Sequence, residues 1–378
     1  MQLLLHKNKL MENLSLLEKI IPSRTPITFL QGIKLETTAE HLLLTTSSMD
    51  MTLKTYCPAK VSQLGSVILP AKFFDIIRQA PAEEIEINLD EDELRVAIRS
   101  GTANFSLYGT DAEQFPKLTA EQEWQQWTNL HFSAPEMMAI LRQVLFAVSQ
   151  DENKPSFRGI LLEADAQGQL LCLSSDTYRL ACFEKFFGQN NAVQPFRLLI
   201  PGKSLNEIAR ILGDSQEIVA CYFQKNEIIF VHKQFVFSSR LLEDKYPELL
   251  TAFPQGYVTK IVLPAELLEK TVGRAALLAQ GENRMIALEV RGKTLQVRSN
   301  SEIGKMAEEI RLTAKEGDDL DEILVNSRFF LDVLRIWGEE SVEVQFNGPL
   351  GPCIFQHRQE KEDSWENYRY LVLPIKPD

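Results

Sequence analysis

No stretch of the 378 residues approaches the 18 or more apolar residues that a membrane-spanning helix requires. The opening Met1-Gln2-Leu3-Leu4-Leu5-His6-Lys7 turns polar too early for a secretory signal, so a cytoplasmic protein is expected. Cysteine is scarce. Cys57, Cys172, Cys182, Cys221 and Cys353 are widely spaced and mostly set in apolar runs, which excludes a disulfide framework or a CxxC site and predicts small buried hydrophobes. Positive charge is short as well: 40 basic against 52 acidic residues leave −12, which speaks against holding nucleic acid by blanket phosphate neutralisation. The histidines, His6, His41, His131, His232 and His357, sit in no recognisable motif; His41, His131 and His232 are expected on exposed strands or turns. Walker, GxSxG, HExxH and dinucleotide patterns are all missing, so no catalytic residue, metal or cofactor is expected. The acidic runs at 90–93 and 318–322 place their carboxylates consecutively rather than at converging spacings, and read as a hairpin turn and a solvated loop.

What the chain does have is ordinary globular composition, 44% hydrophobic and 24% charged, and a long internal repeat. Val67-Ile68-Leu69-Pro70-Ala71-Lys72-Phe73-Phe74 is echoed at Leu198-Leu199-Ile200-Pro201-Gly202-Lys203-Ser204-Leu205 and again at Ile323-Leu324-Val325-Asn326-Ser327-Arg328-Phe329-Phe330. Two further sets of landmarks share the period: Phe115-Pro116, Tyr246-Pro247 and Leu373-Pro374, and the segments opening at Gly32, Gly159 and Met285. A period of domain length predicts three tandem copies, 1–120, 128–250 and 257–378, joined by a polar boundary at 119–126 and a Pro/Gly-bearing one at 251–256. Each copy reads as α+β, two helices packed on antiparallel sheet. The first helices are expected at 10–21, 135–148 and 264–280, the second ones from Pro70, Pro201 and Asn326, and alternating strands follow.

Taken over 7–24, 70–80, 133–154, 201–212, 264–284 and 326–338, the helical segments hold 15 basic and 11 acidic residues, a net +4 inside a chain of −12. Lys72, Lys203 and Arg328 recur near the second helix starts, with Arg78, Arg210 and Arg335 about two turns later. One such helix would be a plain solvated face. Recurrence in three copies points instead to a polyanion held loosely enough to slide.

With Asp176-Thr177-Tyr178-Arg179-Leu180-Ala181, the strand Phe237-Ser238-Ser239-Arg240-Leu241-Leu242-Glu243 running into Tyr246-Pro247, and the tail Tyr370-Leu371-Val372-Leu373-Pro374-Ile375-Lys376, the triplicated chain resembles the beta subunit of bacterial DNA polymerase III, the sliding clamp. The resemblance spans nearly the whole chain. It implies a head-to-tail homodimer closing a ring around duplex DNA, tethering of the polymerase for processivity, opening by a clamp loader, and no chemistry of its own. It places Arg24, Lys72, Gln150, Lys154, Lys203, Arg284 and Asn326 toward DNA, and Phe105 against Leu277 and Leu278 of the other subunit. A pocket for partner peptides is implied at Phe157, Ser175, Thr177, Tyr178, Arg179, Leu180, Pro247, Leu350, Pro352, Leu371, Val372, Leu373, Pro374 and Ile375, with Pro377 and Asp378 beyond it. The family often carries His where Tyr178 stands and Arg-Val where Thr251-Ala252 stands, which implies a different peptide preference. A paralogue serving repair or plasmid replication shares these features. From another class, a small-molecule hydrolase would use Asp176 and Arg179.

Overall fold

A computed structural model describes residues 1–22, 24–186, 194–281, 284–338, 340–361 and 364–376. The first copy runs β1 (Gln2–His6), α1 (Lys7–Leu17), β2 (Gly32–Thr37), β3 (His41–Ser47), β4 (Met51–Pro58), β5 (Lys60–Gln63), β6 (Ser66–Pro70), α2 (Lys72–Gln79), β7 (Glu84–Asp90), β8 (Arg95–Ser100) and β9 (Ala103–Tyr108). A short helix α3 (Glu121–Trp124) leads to the second: β10 (Thr128–Ser133), α4 (Ala134–Val144), β11 (Gly159–Ala164), β12 (Gln169–Ser175), β13 (Arg179–Phe186), β14 (Phe196–Pro201), α5 (Gly202–Leu212), β15 (Ile218–Gln224), β16 (Glu227–His232) and β17 (Phe235–Arg240). The third has β18 (Thr259–Pro264), α6 (Ala265–Ala276), β19 (Met285–Arg291), β20 (Thr294–Ser301), β21 (Gly304–Arg311), β22 (Ala314–Gly317), β23 (Leu320–Asn326), α7 (Ser327–Trp337), β24 (Ser341–Phe346), β25 (Cys353–Lys361) and β26 (Ser364–Val372).

Pairing repeats with the sequence. In every copy the first strand joins the strand after the second helix (β1–β7, β10–β15, β18–β24), and the strand after the first helix pairs with the one before the second (β2–β6, β11–β14, β19–β23). All these ladders are antiparallel, as the alternating apolar positions require. The helices are held by apolar residues three and four apart, such as Leu10, Leu14 and Leu17 in α1 or Phe330, Val333, Leu334 and Trp337 in α7. The chain forms two compact units, residues 1–137 with 204–241 and residues 138–203 with 242–378. The first contains a five-stranded sheet and an eight-stranded sheet completed by β17 pairing with β4. The second contains a nine-stranded sheet completed by β26 pairing with β13, and a four-stranded sheet of β21, β20, β19 and β23.

Several expectations need correction. The first helices are shorter than their apolar spacing suggests, ending at Leu17, Val144 and Ala276. Pro22 disfavours helical backbone just before it, and Gly281, at φ +79, turns the chain after α6. Run 318–322 is only partly loop: Leu320 is buried as the start of β23, and Asp321 and Glu322 pair with Arg291 and Arg298. His232 is buried rather than exposed. The polar boundary at 119–126 folds back through α3, and Trp124 packs with Ile229 and Val236. Residues 90–93 do form a turn, with Asp90 Oδ1 accepting from the amides of Asp92 and Glu93. All five cysteines are buried free thiols.

Candidate functional site

Sheet register builds the peptide-binding candidate. Arg179 of β13 and Cys353 of β25 both lie opposite Val372 of β26. Three segments therefore leave the nine-stranded sheet at one level: the 175–179 turn, the 347–352 turn and the tail after Val372. Leu373 N donates to Tyr178 O at 2.9 Å and Ile375 N to Leu324 O at 2.7 Å, so the tail is tied at both ends. The floor is apolar: Leu180 and Leu371 share a buried cluster with Tyr246, Phe253 and Ile354, and Phe157 packs on Tyr246 with ring centroids 5.8 Å apart. Val372 is also buried. Above this floor Tyr178, Leu350 and Leu373 are 60%, 67% and 43% exposed, large apolar groups presented to solvent. Pro247, Pro352, Pro374 and Ile375 are half-buried between the two levels. Pro377 and Asp378 lie outside the described residues.

The 175–179 turn is rigid for chemical reasons. Thr177 sits at φ +81, a conformation that β-branched residues avoid. Asp176 offsets this: its Oδ1 accepts from the amides of Tyr178 and Arg179 at 3.0 and 3.1 Å, while Ser175 Oγ donates to Arg179 O at 2.7 Å. Arg179 points inward. Its guanidinium bonds Asp176 Oδ2 (2.8 Å), Asp332 Oδ2 (2.7 Å) and Phe146 O (2.7 Å) and lies 4.5 Å from the Phe329 ring centroid. Burial by itself would lower its pKa, but Tyr370, Asp332 and Asp176 outweigh that and hold it above its ordinary value. Arg179, 6% exposed, thus supports the turn from beneath, and Asp176 is fully engaged by this structural role. Neither is arranged as a nucleophile or base.

The candidates for facing DNA divide between the two units. In the first, Arg24 is exposed in a loop and Lys72 is exposed at the start of α2, bonded to Asp75 at 2.8 Å. That bond and the nearby Arg78 hold the Asp75 carboxyl below its usual range. In the second, Gln150, Lys203 and Arg284 are exposed, and Asn326 caps α7 by accepting from Arg328 N at 3.0 Å. Lys154 is drawn to the peptide candidate: its Nζ bonds Thr177 Oγ1 at 2.8 Å and stands 5.2 Å from the Tyr178 ring centroid. The recurrent cations are moderated by acids: Arg78 pairs with Asp75 and Glu18, Arg210 with Glu207, and Arg335 with Glu269. Asp332 and Phe146 were missed by sequence reasoning. An acid recurring one turn after the helix-start cation, Asp75, Glu207 and Asp332, is the signal that could have found the first.

Phe105 is half-buried on β9, whose neighbour Tyr108 is 76% exposed. Leu277 follows α6 and is 78% exposed, so it is no helix-core residue; Leu278 beside it is half-buried, and Ile303 in the β20–β21 turn is 64% exposed. Among the described residues no cluster of His, Cys, Asp and Glu could hold a metal, and no helix is long and apolar enough to cross a membrane.

Three copies of one two-helix, antiparallel-sheet domain, joined sheet to sheet, define a DNA-clamp protein. Residues 1–119, 132–248 and 250–376 match the N-terminal, central and C-terminal domain models of the DNA polymerase III beta subunit. The chain belongs to that family, whose members are processivity subunits without catalytic activity. It is 30% identical to the beta sliding clamp of Bacillus subtilis over 388 residues, covering 100% of both chains. To that of Halalkalibacterium halodurans it is 32% identical, covering 94% of this chain and 95% of the relative. The crystal structure of the B. subtilis sliding clamp superposes with TM-score 0.91 at 29% identity over 100% of both chains. The Streptococcus pyogenes beta subunit, at 24% identity and 100% coverage of both, gives TM-score 0.92 and shows the fold alone.

Proposed function

We propose that two copies of this chain close head to tail into a ring around duplex DNA and tether the replicative polymerase there. The observation that carries this reading is a rule of strand pairing. The last strand of the second copy pairs with β4 of the first, and the last strand of the third with β13 of the second. By the same rule β9 and β21 are left over, each paired on one side only among the described residues. Joining β9 of one chain to β21 of another repeats the rule, and doing so twice closes the assembly without leaving either edge free. Phe105, Leu277 and Leu278 then meet at each joint, and burying each contributes roughly 1.5–3 kcal/mol.

Enclosure explains how a chain of charge −12 works on DNA: retention depends on topology, and a mildly basic lining suffices. Arg24, Lys72, Gln150, Lys154, Lys203, Arg284 and Asn326 supply that lining. The Tyr178, Leu350 and Leu373 surface takes a short apolar peptide from the polymerase and the clamp loader, its chain oriented by the polar 175–179 turn. The three copies span 1–120, 128–250 and 257–378. Five free thiols accord with a reducing cytoplasm. Sedimentation at micromolar concentration is expected to give about twice 43.1 kDa, and Phe105→Asp to give 43.1 kDa. A wild-type single chain, or a variant that dimerises equally well, would contradict the joint.

A further inference from the structure

Equivalent rows of paired residues run across the sheets of all three copies. The row that starts four residues before the first helix ends on Phe105, Phe237 and Tyr370, running Leu3, Ile87, Ile98, Phe105 in the first copy. The row that starts two residues before Pro70, Pro201 or Asn326 ends on Lys54, Cys182 and Ala307, running Leu324, Ala287, Arg298, Ala307 in the third. These row ends meet at both joints within the chain. Val236, just before Phe237, lies opposite Lys54, and Arg369, just before Tyr370, lies opposite Cys182. Applied to a joint between chains, the same rule sets Asn104, just before Phe105, opposite Ala307. An antiparallel ladder then fixes every other pair.

Side-chain chemistry selects the same register independently. The half-buried positions Ala103, Phe105 and Leu107 then stand opposite the half-buried Glu308, Met306 and Gly304, so the core side of one strand continues into that of the other. Leu278 lies over Gly304, 3.7 Å from where a Cβ would stand, which brings it beside Leu107 and Phe105. Ala103 is small enough to leave Glu308 its bonds from Thr271 (3.0 Å) and Arg274 (2.8 Å). A slip of two residues one way would press Phe105 on that engaged carboxylate. A slip the other way would set it against Gly304, which has no side chain to pair with.

We propose that, in the head-to-tail dimer on which this inference rests, β9 joins β21 of the second copy in this one register, and that Tyr108 seals the open face of the ladder against Ile303 and Lys305 of that copy. Tyr108 ends β9 on the face opposite Phe105 and is 76% exposed in the single chain. The register carries it to the β20–β21 turn, where Ile303 is 64% exposed, and sets Ser106 opposite the exposed Lys305. The phenol ring then covers the Ile303 side chain and the aliphatic stem of Lys305, burying apolar surface that each chain alone leaves in water. The joint is thus closed from both sides, by Phe105, Met306 and Leu278 on the core face and by Tyr108 on the other.

The test is cysteine cross-linking of the full chain, whose own five thiols are buried. Ser106→Cys with Lys305→Cys places two thiols directly opposite, and mild oxidation is expected to give a covalent dimer on non-reducing gels. Ser106→Cys with Ala307→Cys places them diagonally, about 7–8 Å apart, too far for a disulfide, and is expected to stay uncross-linked. Cross-linking of the second variant, or of neither while sedimentation still gives a dimer, overturns the register and leaves the dimer standing; a single chain in sedimentation for the wild type as well overturns the head-to-tail reading itself. Tyr108→Ser is expected to raise the dimer dissociation constant about tenfold, because the contact occurs twice per dimer, with circular dichroism checking that the variant folds. An unchanged dissociation constant overturns the role of Tyr108.

Discussion

Arg179 shows how one buried side chain organises an exposed turn. Its removal would strand Asp176 and leave Asp332 only Arg328 at 3.9 Å, the two carboxylate side chains being 16% and 17% exposed. Arg179→Ala is therefore expected to cost about 3–5 kcal/mol, measured by urea unfolding, and Arg179→Lys to recover little, since an ammonium lacks the planar fork that serves three acceptors. A variant as stable as the wild type would contradict this reading. His232 gives a second test. Burial, opposed by Glu217 and assisted by Lys233, lowers its pKa below the ordinary 6.5. The unfolded chain then takes up a proton before the native one, so stability is held above the unfolded pKa and lost as pH falls through the folded one. Between pH 7 and 5 the wild type is expected to lose stability and His232→Gln to lose less; equal slopes would contradict the assignment. The cysteines behave as spacing alone suggests, and burial pushes the Cys57 thiol up to about 11.

Among the elements, those with a periodic apolar face were legible and those ended by local chemistry were not. The repeated Pro70, Pro201 and Asn326 landmarks marked the second helices to within two residues, because each closes a strand immediately before the helix turns in. The ends of the first helices were overestimated, since apolar residues continue past the point where turns take over. The pocket residues were reached only through family resemblance. Residues 175–180, 350–352 and 371–375 are remote in sequence, and only the β13–β26–β25 register brings them together. Arg179's inward turn was invisible for the same reason: Asp332 and Phe146 lie far away in the chain. The tail is held to the body by few bonds, notably Leu373 N to Tyr178 O. Deleting residues 373–376 is expected to abolish stimulation of the polymerase in a primed-template assay while the dimer persists, because those residues belong to neither β9 nor β21. Undiminished stimulation would remove this surface from consideration.

For the molecule as a whole, charge and topology answer different questions. A net charge of −12 limits affinity for a polyanion, and the pairing of recurrent cations with Asp75, Glu207 and Asp332 lowers it further. Weak attraction is what sliding requires, provided that something else prevents escape. On the proposed joint the edges β9 and β21 supply that, since two chains joined through them would enclose whatever passes between. The most direct measurement is retention on DNA. After loading onto a nicked plasmid by an ATP-driven clamp loader, the protein is expected to co-elute with the circle through gel filtration in high salt and to be lost when a restriction enzyme linearises it. Equal loss from circular and linear DNA would contradict enclosure.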